Sequence, residues 1–337
     1  MDRNNRKVLV TGASGFIALH CIKELLKNGY KVKGSLRNLK KESQVRNALR
    51  EVIKDDNFEI CKLDLLQDDG WYKETSDCDY LMHIASPCVI REPNNEQEVI
   101  APAVKGTLRA LEAAHNSNIK KVVITSSIGS MVYGHNKYKC FPDDWTNVSA
   151  PIGAYIKSKT LADQASWDFL ARVKNISFSM TSIHPGMVFG PLLNNQIQTT
   201  SADLIMKIIK GKFPALPNIF FSVVDVRDVA KIHVDSLSNK KSDYKRIISS
   251  SPNVISLLEI SRILRNLGYQ RSTLNLVPSQ LINLLAIFNK DMRTSASMIK
   301  RGSFKLDISE TLSIYDWNPI PFEKTIIDMT NSLKDIC

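Results

Sequence analysis

The chain predicts an α/β fold, a doubly wound parallel sheet followed by a smaller C-terminal lobe. Two observations carry this. Short apolar runs alternate with helical stretches from residue 7 to about 185, and the first run breaks into a glycine-punctuated turn, VLVTGASGFIA over Val8 to Ala18, that opens a helix. At 337 residues the chain can bury a full core without staples.

The elements follow in order. Apolar, β-rich runs at Lys7 to Thr11, Tyr30 to Ser35, Phe58 to Asp64, Tyr80 to Ile84, Lys121 to Ser127 and Ile176 to Pro185 read as parallel strands buried on both faces. After the first strand, Ile17, Cys21, Leu25 and Ile22, Leu26 recur at helical spacing until Gly29. The helix expected over about Glu96 to Asn118 contains Pro102, which predicts a kink or a late start. Beyond Gly190-Pro191 the rhythm fails, apart from a strand-then-helix pattern from Phe221 to Leu237. Residues 1–190 with about 221–248 are therefore expected to form the sheet part, and about 191–220 with 249–337 the lobe.

The turn has a chemical reading. Gly12 permits a tight bend, Gly15 allows close approach of a pyrophosphate, and Ala18 lets helix and strand pack closely. Ser14, Phe16 and Ile17 complete the loop and the first helical amides, where the positive helix end would face phosphate. This is the pattern of a Rossmann-type dinucleotide site.

Composition excludes several classes. Net charge is +11, from 45 Lys and Arg against 34 Asp and Glu, but the lysines are scattered with no basic stripe interleaved with aromatics, so no nucleic-acid partner is expected. The cysteines at 21, 61, 78, 88, 140 and 337 form no CxxC pair and fall mostly in apolar runs, as in a reducing compartment. MDRNNRK leads directly into a strand, leaving no room for a signal peptide, and Leu281 to Phe288 is too short to span a bilayer. A cytoplasmic protein without a membrane partner is expected.

The second strand ends Gly34-Ser35-Leu36-Arg37, followed by Lys40 and Lys41, where a site preferring NAD would carry an acid. Cations there match a 2′-phosphate, so the expected cofactor is NADP(H). Asp64, followed by Leu65, closes the third strand and is placed to meet adenine or to cap the strand end.

The fifth strand ends at Ser126-Ser127, where parallel strands present their carboxyl ends to ligands. Tyr155 and Lys159, four residues apart in AYIKSKTLADQASWDFL, fall on one helix face, and a cation beside a phenol is expected to lower its pKa. Such a set suits carbonyl reduction: the tyrosine gives a proton, a serine hydroxyl stabilises the oxygen, and the lysine also holds the nicotinamide ribose.

TGASGFIA, HIASP, ITSSIGS, YIKSK and HPGMVFGP, in this order, resemble the extended short-chain dehydrogenase/reductases. GSLR, LDLLQDDGW, CDYLMHIASP, SKTLADQASW and VDVRDVAKIHV resemble more narrowly the dihydroflavonol reductase-like branch, over residues 5 to 240. The resemblance implies Ser127 as the catalytic serine, with Ser126 as the fallback, alongside Tyr155 and Lys159. It also implies cofactor contacts through the backbone around Ala85, Ser86 and Pro185, Gly186 to Val188, and dimerisation through the helices bearing Pro102 and Tyr155, so a monomer or homodimer. The substrate class it implies is a small-molecule carbonyl compound.

Two departures narrow this. Plant members of the branch place Asn five residues after the catalytic serine to hold flavonoid hydroxyls, and here that position is Val132. The signature NWYCYGK of cinnamoyl-CoA reductases is replaced by GAYIKSK. Microbial aldehyde and ketone reductases of the branch are the better match. His83 and His184 lack ligand partners at metal spacing and read as buried structural histidines, so no metal is expected. Met187, Phe189, Leu192 and Phe213 suggest an apolar pocket, whereas Trp145 and Tyr133 fit a pocket or a core equally. The competing readings are a nucleotide-sugar epimerase or dehydratase, which commonly carries acids after a Thr where Ser126-Ser127-Ile128 stands, and a non-catalytic NADP-binding sensor.

Overall fold

The computed structural model describes residues 6–54, 56–88, 92–194, 199–287 and 289–334. The chain start before Arg6, together with Phe288 and Cys337, lies outside them. The elements run β1 (Lys7–Val10), α1 (Phe16–Lys27), β2 (Lys31–Leu36), α2 (Glu42–Leu49), β3 (Phe58–Lys62), α3 (Trp71–Thr75), β4 (Tyr80–His83), α4 (Gln97–His115) and β5 (Lys121–Thr125). Then come β6 (Lys139–Cys140), α5 (Ala154–Arg172), β7 (Ser179–Pro185), β8 (Met187–Phe189), α6 (Thr200–Ile209), β9 (Phe220–Asp225), α7 (Val226–Ser236) and β10 (Lys245–Ser249). The chain closes with β11 (Val254–Ser256), α8 (Leu257–Asn266), α9 (Ser279–Leu285), α10 (Lys290–Arg301), β12 (Lys305–Leu306), α11 (Ser309–Ile314) and α12 (Phe322–Leu333).

A seven-stranded sheet has the order β10-β7-β5-β4-β1-β2-β3, with every neighbouring pair parallel. Its direction of winding reverses at β1, where Val8 sits opposite Val32 of β2 on one side and Tyr80 of β4 on the other. Such a reversal opens a crevice at the carboxyl ends of the strands.

Alternation along each strand feeds two cores. Val8, Val10, Met82 and Val123 pack with α1, α2 and α7, whereas Leu9, Leu81, Val122 and Ile124 pack with α3, α4 and α5. Each strand expected up to residue 185 is present, although β3 stops at Lys62 and β5 at Thr125, so Asp64 and Ser126-Ser127 lie just past the strand ends.

Pro102 lies inside α4, which begins at Gln97. The helix therefore does not start late; Pro102 near its N-terminus removes only the amide that would reach back to Glu98. Tyr244, at φ 57, leads into β10, which pairs with β7 as the sheet's last strand. Its core is only Ile247-Ile248, too short a run for periodicity to reveal.

The lobe has its own core of Phe189, Leu192, Ile205, Ile260, Ile326 and Met329, beneath a small sheet ordered β11-β9-β8. The strand read at Phe221 onward thus pairs with β8 and β11 rather than with the large sheet, while α7 returns to pack on the large sheet's core. Phe304, Leu306, Tyr315 and Trp317 also leave the C-terminal tract to join that core. Among the described residues, no helix is long and apolar enough to cross a membrane.

Candidate active site

The glycine turn is held from both sides. Gly12 has φ +72, and a Cβ there would come within 3.0 Å of the Ala85 Cβ, so the left-handed backbone and the close approach both require glycine. The Gly15 amide donates to the Gly12 carbonyl at 2.8 Å, and the Ala13 amide donates to the Ser35 carbonyl at 2.8 Å, tying the turn to β2. No side chain caps α1, and its first turn carries no acid. Ser14, Phe16 and Ile17 are half-buried around that helix end. Uncapped first-turn amides suit an anion, and a small cradle suits a pyrophosphate.

Beside the turn, Thr11 Oγ1 accepts the amides of Ile84 and Ala85, each at 3.0 Å, and lies 3.1 Å from His83 Nδ1. Burial, with Lys159 adding to it, pulls His83 down to about 3. His83 is therefore neutral and receives the Thr11 hydroxyl, which aims Ala85 and Ser86 along the turn.

Arg37 and Lys41 stand exposed just past β2, and neither meets a carboxylate within ion-pair distance among the described residues. Asp64 uses Oδ1 to accept the Leu66 amide at 2.9 Å, the local-cap role, while its carbonyl accepts Trp71 Nε1 at 3.1 Å. Leu65 rests on α4 at Gly106, where a Cβ would lie 2.7 Å from its Cδ2.

At the end of β5, Ser127 is extended at φ −163, and its Oγ accepts the Gly129 amide at 3.0 Å, leaving its proton free to donate outward. Ser126 Oγ is buried with no partner among the described residues. Gly153, at φ +82, starts α5 and sets the helix that carries Tyr155 and Lys159. Lys159 is buried and donates to the Thr125 carbonyl at 3.2 Å. Burial pulls it down to about 8 against the opposing pull of Cys88 and Asp163.

The lysine does not bring the phenol down, contrary to expectation. Burial, with Cys88 adding to it, pushes Tyr155 upward. Helical spacing does not direct the Lys159 ammonium at the phenol; it is spent on the Thr125 carbonyl, and desolvation of the phenolate dominates.

Pro185 ends β7, Gly186 follows it, and Val188 lies in β8 of the small sheet. A Cβ on Gly186 would stand 2.1 Å from Ser250 Oγ and 2.4 Å from the Ser222 carbonyl oxygen, so only glycine lets β7 pass into β8 there. A narrow cleft with room for about one water, at the ends of β4 and β5, is lined by Ala85, Ser86, Ser126 and Lys159, with His83 and Asp163 also on its wall. Arg37, Lys41 and Asp64 lie apart, beyond β2 and β3.

The pocket guessed from apolar residues needs correction. Phe189 and Leu192 are buried in the lobe's core, Phe189 edge-on to Phe322 at 5.3 Å, with Met187 and Phe213 packed against that core. Val132 is fully buried in the sheet-side core. Trp145 stacks on the Arg246 guanidinium, 3.7 Å from ring centre to carbon, and Tyr133 packs on the core. His184 hydrogen-bonds Asp163 at 2.8 Å, and among the described residues no cluster of His, Cys, Asp and Glu could hold a metal. Asp163, Ser130 and Arg246 were missed, although Asp163 extends the Tyr155–Lys159 spacing by another four residues.

Residues 8–249 match the model of the NAD dependent epimerase/dehydratase family. The chain is similar to the NADPH-dependent methylglyoxal reductase GRE2 of Saccharomyces cerevisiae, 32% identical over 269 residues that cover 72% of this chain and 77% of that protein. It is similar to the cinnamoyl-CoA reductase CAD2 of Medicago truncatula, 33% identical over 77% of this chain and 80% of that protein. Among solved structures, Gre2 in complex with NADPH from Candida albicans superposes with a TM-score of 0.82 at 25% identity, covering 98% of this chain and 99% of that one. With its reversed parallel sheet, its glycine turn and a family match spanning most of its length, the chain belongs to the NAD dependent epimerase/dehydratase family.

Proposed function

We propose that this chain is an NADPH-dependent reductase of small aldehydes and ketones. One observation carries the reading: Lys159, buried on the Thr125 carbonyl beside Ser126-Ser127, follows Tyr155 by one helical turn at the carboxyl end of β5.

The residues present fit the cofactor. Gly12 lets the turn fold tightly against Ala85, and Phe16 and Ile17 offer amides of an uncapped helix end that suit a pyrophosphate. The orphaned Ser126 hydroxyl, with Ala85 and Ser86, lines the cleft next to Lys159. Pro185 at the end of β7, Gly186 after it and Val188 in β8 are read as bordering the site, with Asp64 and Leu65 toward the adenine end and Ser14 completing the loop. Arg37 and Lys41 are cations in reach of solvent for a 2′-phosphate.

When bound, NADPH supplies the hydride. Tyr155, whose phenol is protonated at neutral pH, is the group that gives a proton to the carbonyl oxygen. The Ser127 hydroxyl, its oxygen already accepting the Gly129 amide, donates to that oxygen as charge grows. Lys159, held on the Thr125 carbonyl, is the cation placed to hold the ribose. Val132, which stands where flavonoid-reducing members carry Asn, cannot hydrogen-bond a flavonoid hydroxyl, and we read the substrate as a smaller carbonyl compound.

We read the large sheet as the cofactor part and the α6, α8 and α12 tract as the substrate lobe. The protein is cytoplasmic and works as a monomer or as a homodimer through α4 and α5, which a fluorescent fusion and light scattering test. NADPH oxidation followed against aldehydes, α-ketoesters, diketones and flavanones tests the function. Turnover with the first three classes is expected; NADPH binding without turnover of any would overturn the reading.

A further inference from the structure

A buried polar hub lies behind the site. Asp163, fully buried one turn after Lys159 on α5, accepts from Ser182 Oγ at 2.9 Å through Oδ1. Its Oδ2 accepts from His184 Nε2 at 2.8 Å and from Arg246 Nη2 at 2.9 Å. Arg246 comes from the far strand β10, and its Nη1 donates to the carbonyls of Pro142 and Asp144. Ser130 Oγ receives Arg246 Nη2 at 3.1 Å and lies within donating distance of both Asp163 Oδ2, at 3.1 Å, and the Ser127 carbonyl, at 2.9 Å.

The hub therefore touches both halves of the proposed catalytic set. Through Ser130 it holds the turn that carries Ser127, and through Asp163 it holds the helix that carries Tyr155 and Lys159. Asp163 and Lys159 line the same cleft. A buried ion pair of this kind contributes little to stability compared with an apolar replacement, so its location is the informative property. A directional network of hydrogen bonds fixes the register of turn against helix more sharply than non-directional apolar packing.

Resting on the reading of the site above, we propose that Asp163, held by Arg246, is a positioning residue that registers the Ser127 turn against the Tyr155 and Lys159 face of α5 and balances the Lys159 charge from behind. The groups acting on Lys159 are His83 from β4, Cys88 beyond it and Asp163 from α5; those acting on Asp163 are His184 from β7 and Arg246 from β10. Burial lowers His184 while Asp163 raises it, and both His184 and Arg246 lower Asp163, so the two together face its carboxylate.

The test uses the full chain with three variants, Ser130→Ala, Tyr155→Phe and the double change Asp163→Asn with Arg246→Met, which removes both buried charges together. Ser130→Ala is expected to bind NADPH as tightly as the unmodified protein and to keep KM, yet to lose about tenfold in kcat through misplacement of the serine. Asp163 raises Lys159 and Arg246 does not act on it, so in the double variant the Lys159 midpoint followed by 13Cε NMR without cofactor is expected to fall, and the alkaline limb of kcat to fall with it. A purely structural hub would lower the melting temperature and leave the midpoint and kcat where they were; that result, with Tyr155→Phe inactive, overturns this proposal alone. Full turnover by Tyr155→Phe would instead overturn the reading of the site. If the double variant does not fold, Ser130→Ala decides: unchanged kcat rejects the proposal and the tenfold loss supports it.

Discussion

Thr11 Oγ1 sits 3.1 Å from His83 Nδ1 and accepts two amides of the following loop, joining the ends of β1 and β4 at the sheet's switch point. A single hydroxyl thus sets the distance between the glycine turn and the Ala85-Ser86 backbone. Thr11→Val keeps the shape and removes the acceptor, leaving the Ile84 and Ala85 amides unpaired. A loss of about 2 kcal/mol in urea unfolding is expected, with weaker NADPH binding. Unchanged values for both would show that the clamp is dispensable.

Tyr155→Phe removes the proton donor without altering the ring. A fall in kcat of roughly 10²–10⁴ is expected, while the NADPH dissociation constant stays within about twofold. Steady-state kinetics with the best aldehyde, and fluorescence titration of the cofactor, measure the two.

Arg37→Ala takes a cation from the end of β2, where no carboxylate neutralises it among the described residues. NADPH affinity is expected to drop roughly tenfold, with NADH within about twofold of its original value. An unchanged ratio of the two affinities would remove Arg37 from the 2′-phosphate site.

Gly186→Ala places a methyl 2.4 Å from the Ser222 carbonyl oxygen, a backbone atom that cannot swing aside. The strain is expected to cost about 2 kcal/mol or more and to appear as a lower melting temperature. Gly268→Ala meets nothing within 4 Å but adopts φ +96, so its penalty is conformational only and is expected to be smaller, about 1 kcal/mol.

Acid should unfold the protein early. Burial pulls His20 and His233 down to about 4 and His83 to about 3, against 6.5 for an exposed imidazole. The unfolded chain takes up these protons first, so the contribution is complete above pH 6.5 and is lost as pH falls from there toward 4. Each histidine removes ~1.4 kcal/mol per pH unit in that window. Melting temperatures measured across it should fall steeply, and His233→Phe should flatten the slope.

Much of the architecture is legible in the chain because it rests on local rules. A strand ending in glycines, an uncapped helix, and Tyr155 and Lys159 one turn apart are each written within a few residues, and the order of the motifs implies the parallel sheet. Long-range choices are different. The pairing of β10 with β7, the diversion of Phe220–Asp225 into a small sheet and the retreat of Phe189 and Leu192 into a core depend on contacts between distant segments. The upward push on Tyr155 likewise arises from burial, which no spacing states.

By itself the sequence determined the dinucleotide turn, the cation after the second strand and the helix face shared by Tyr155 and Lys159, since each follows from neighbouring residues and backbone geometry. Only the tertiary structure decided that Asp163 meets Arg246 across 83 residues and that Ser130 links this pair to the Ser127 turn. Hydrogen bonds are directional over a few ångströms, and which distant groups come that close is settled by the packing of helix on sheet.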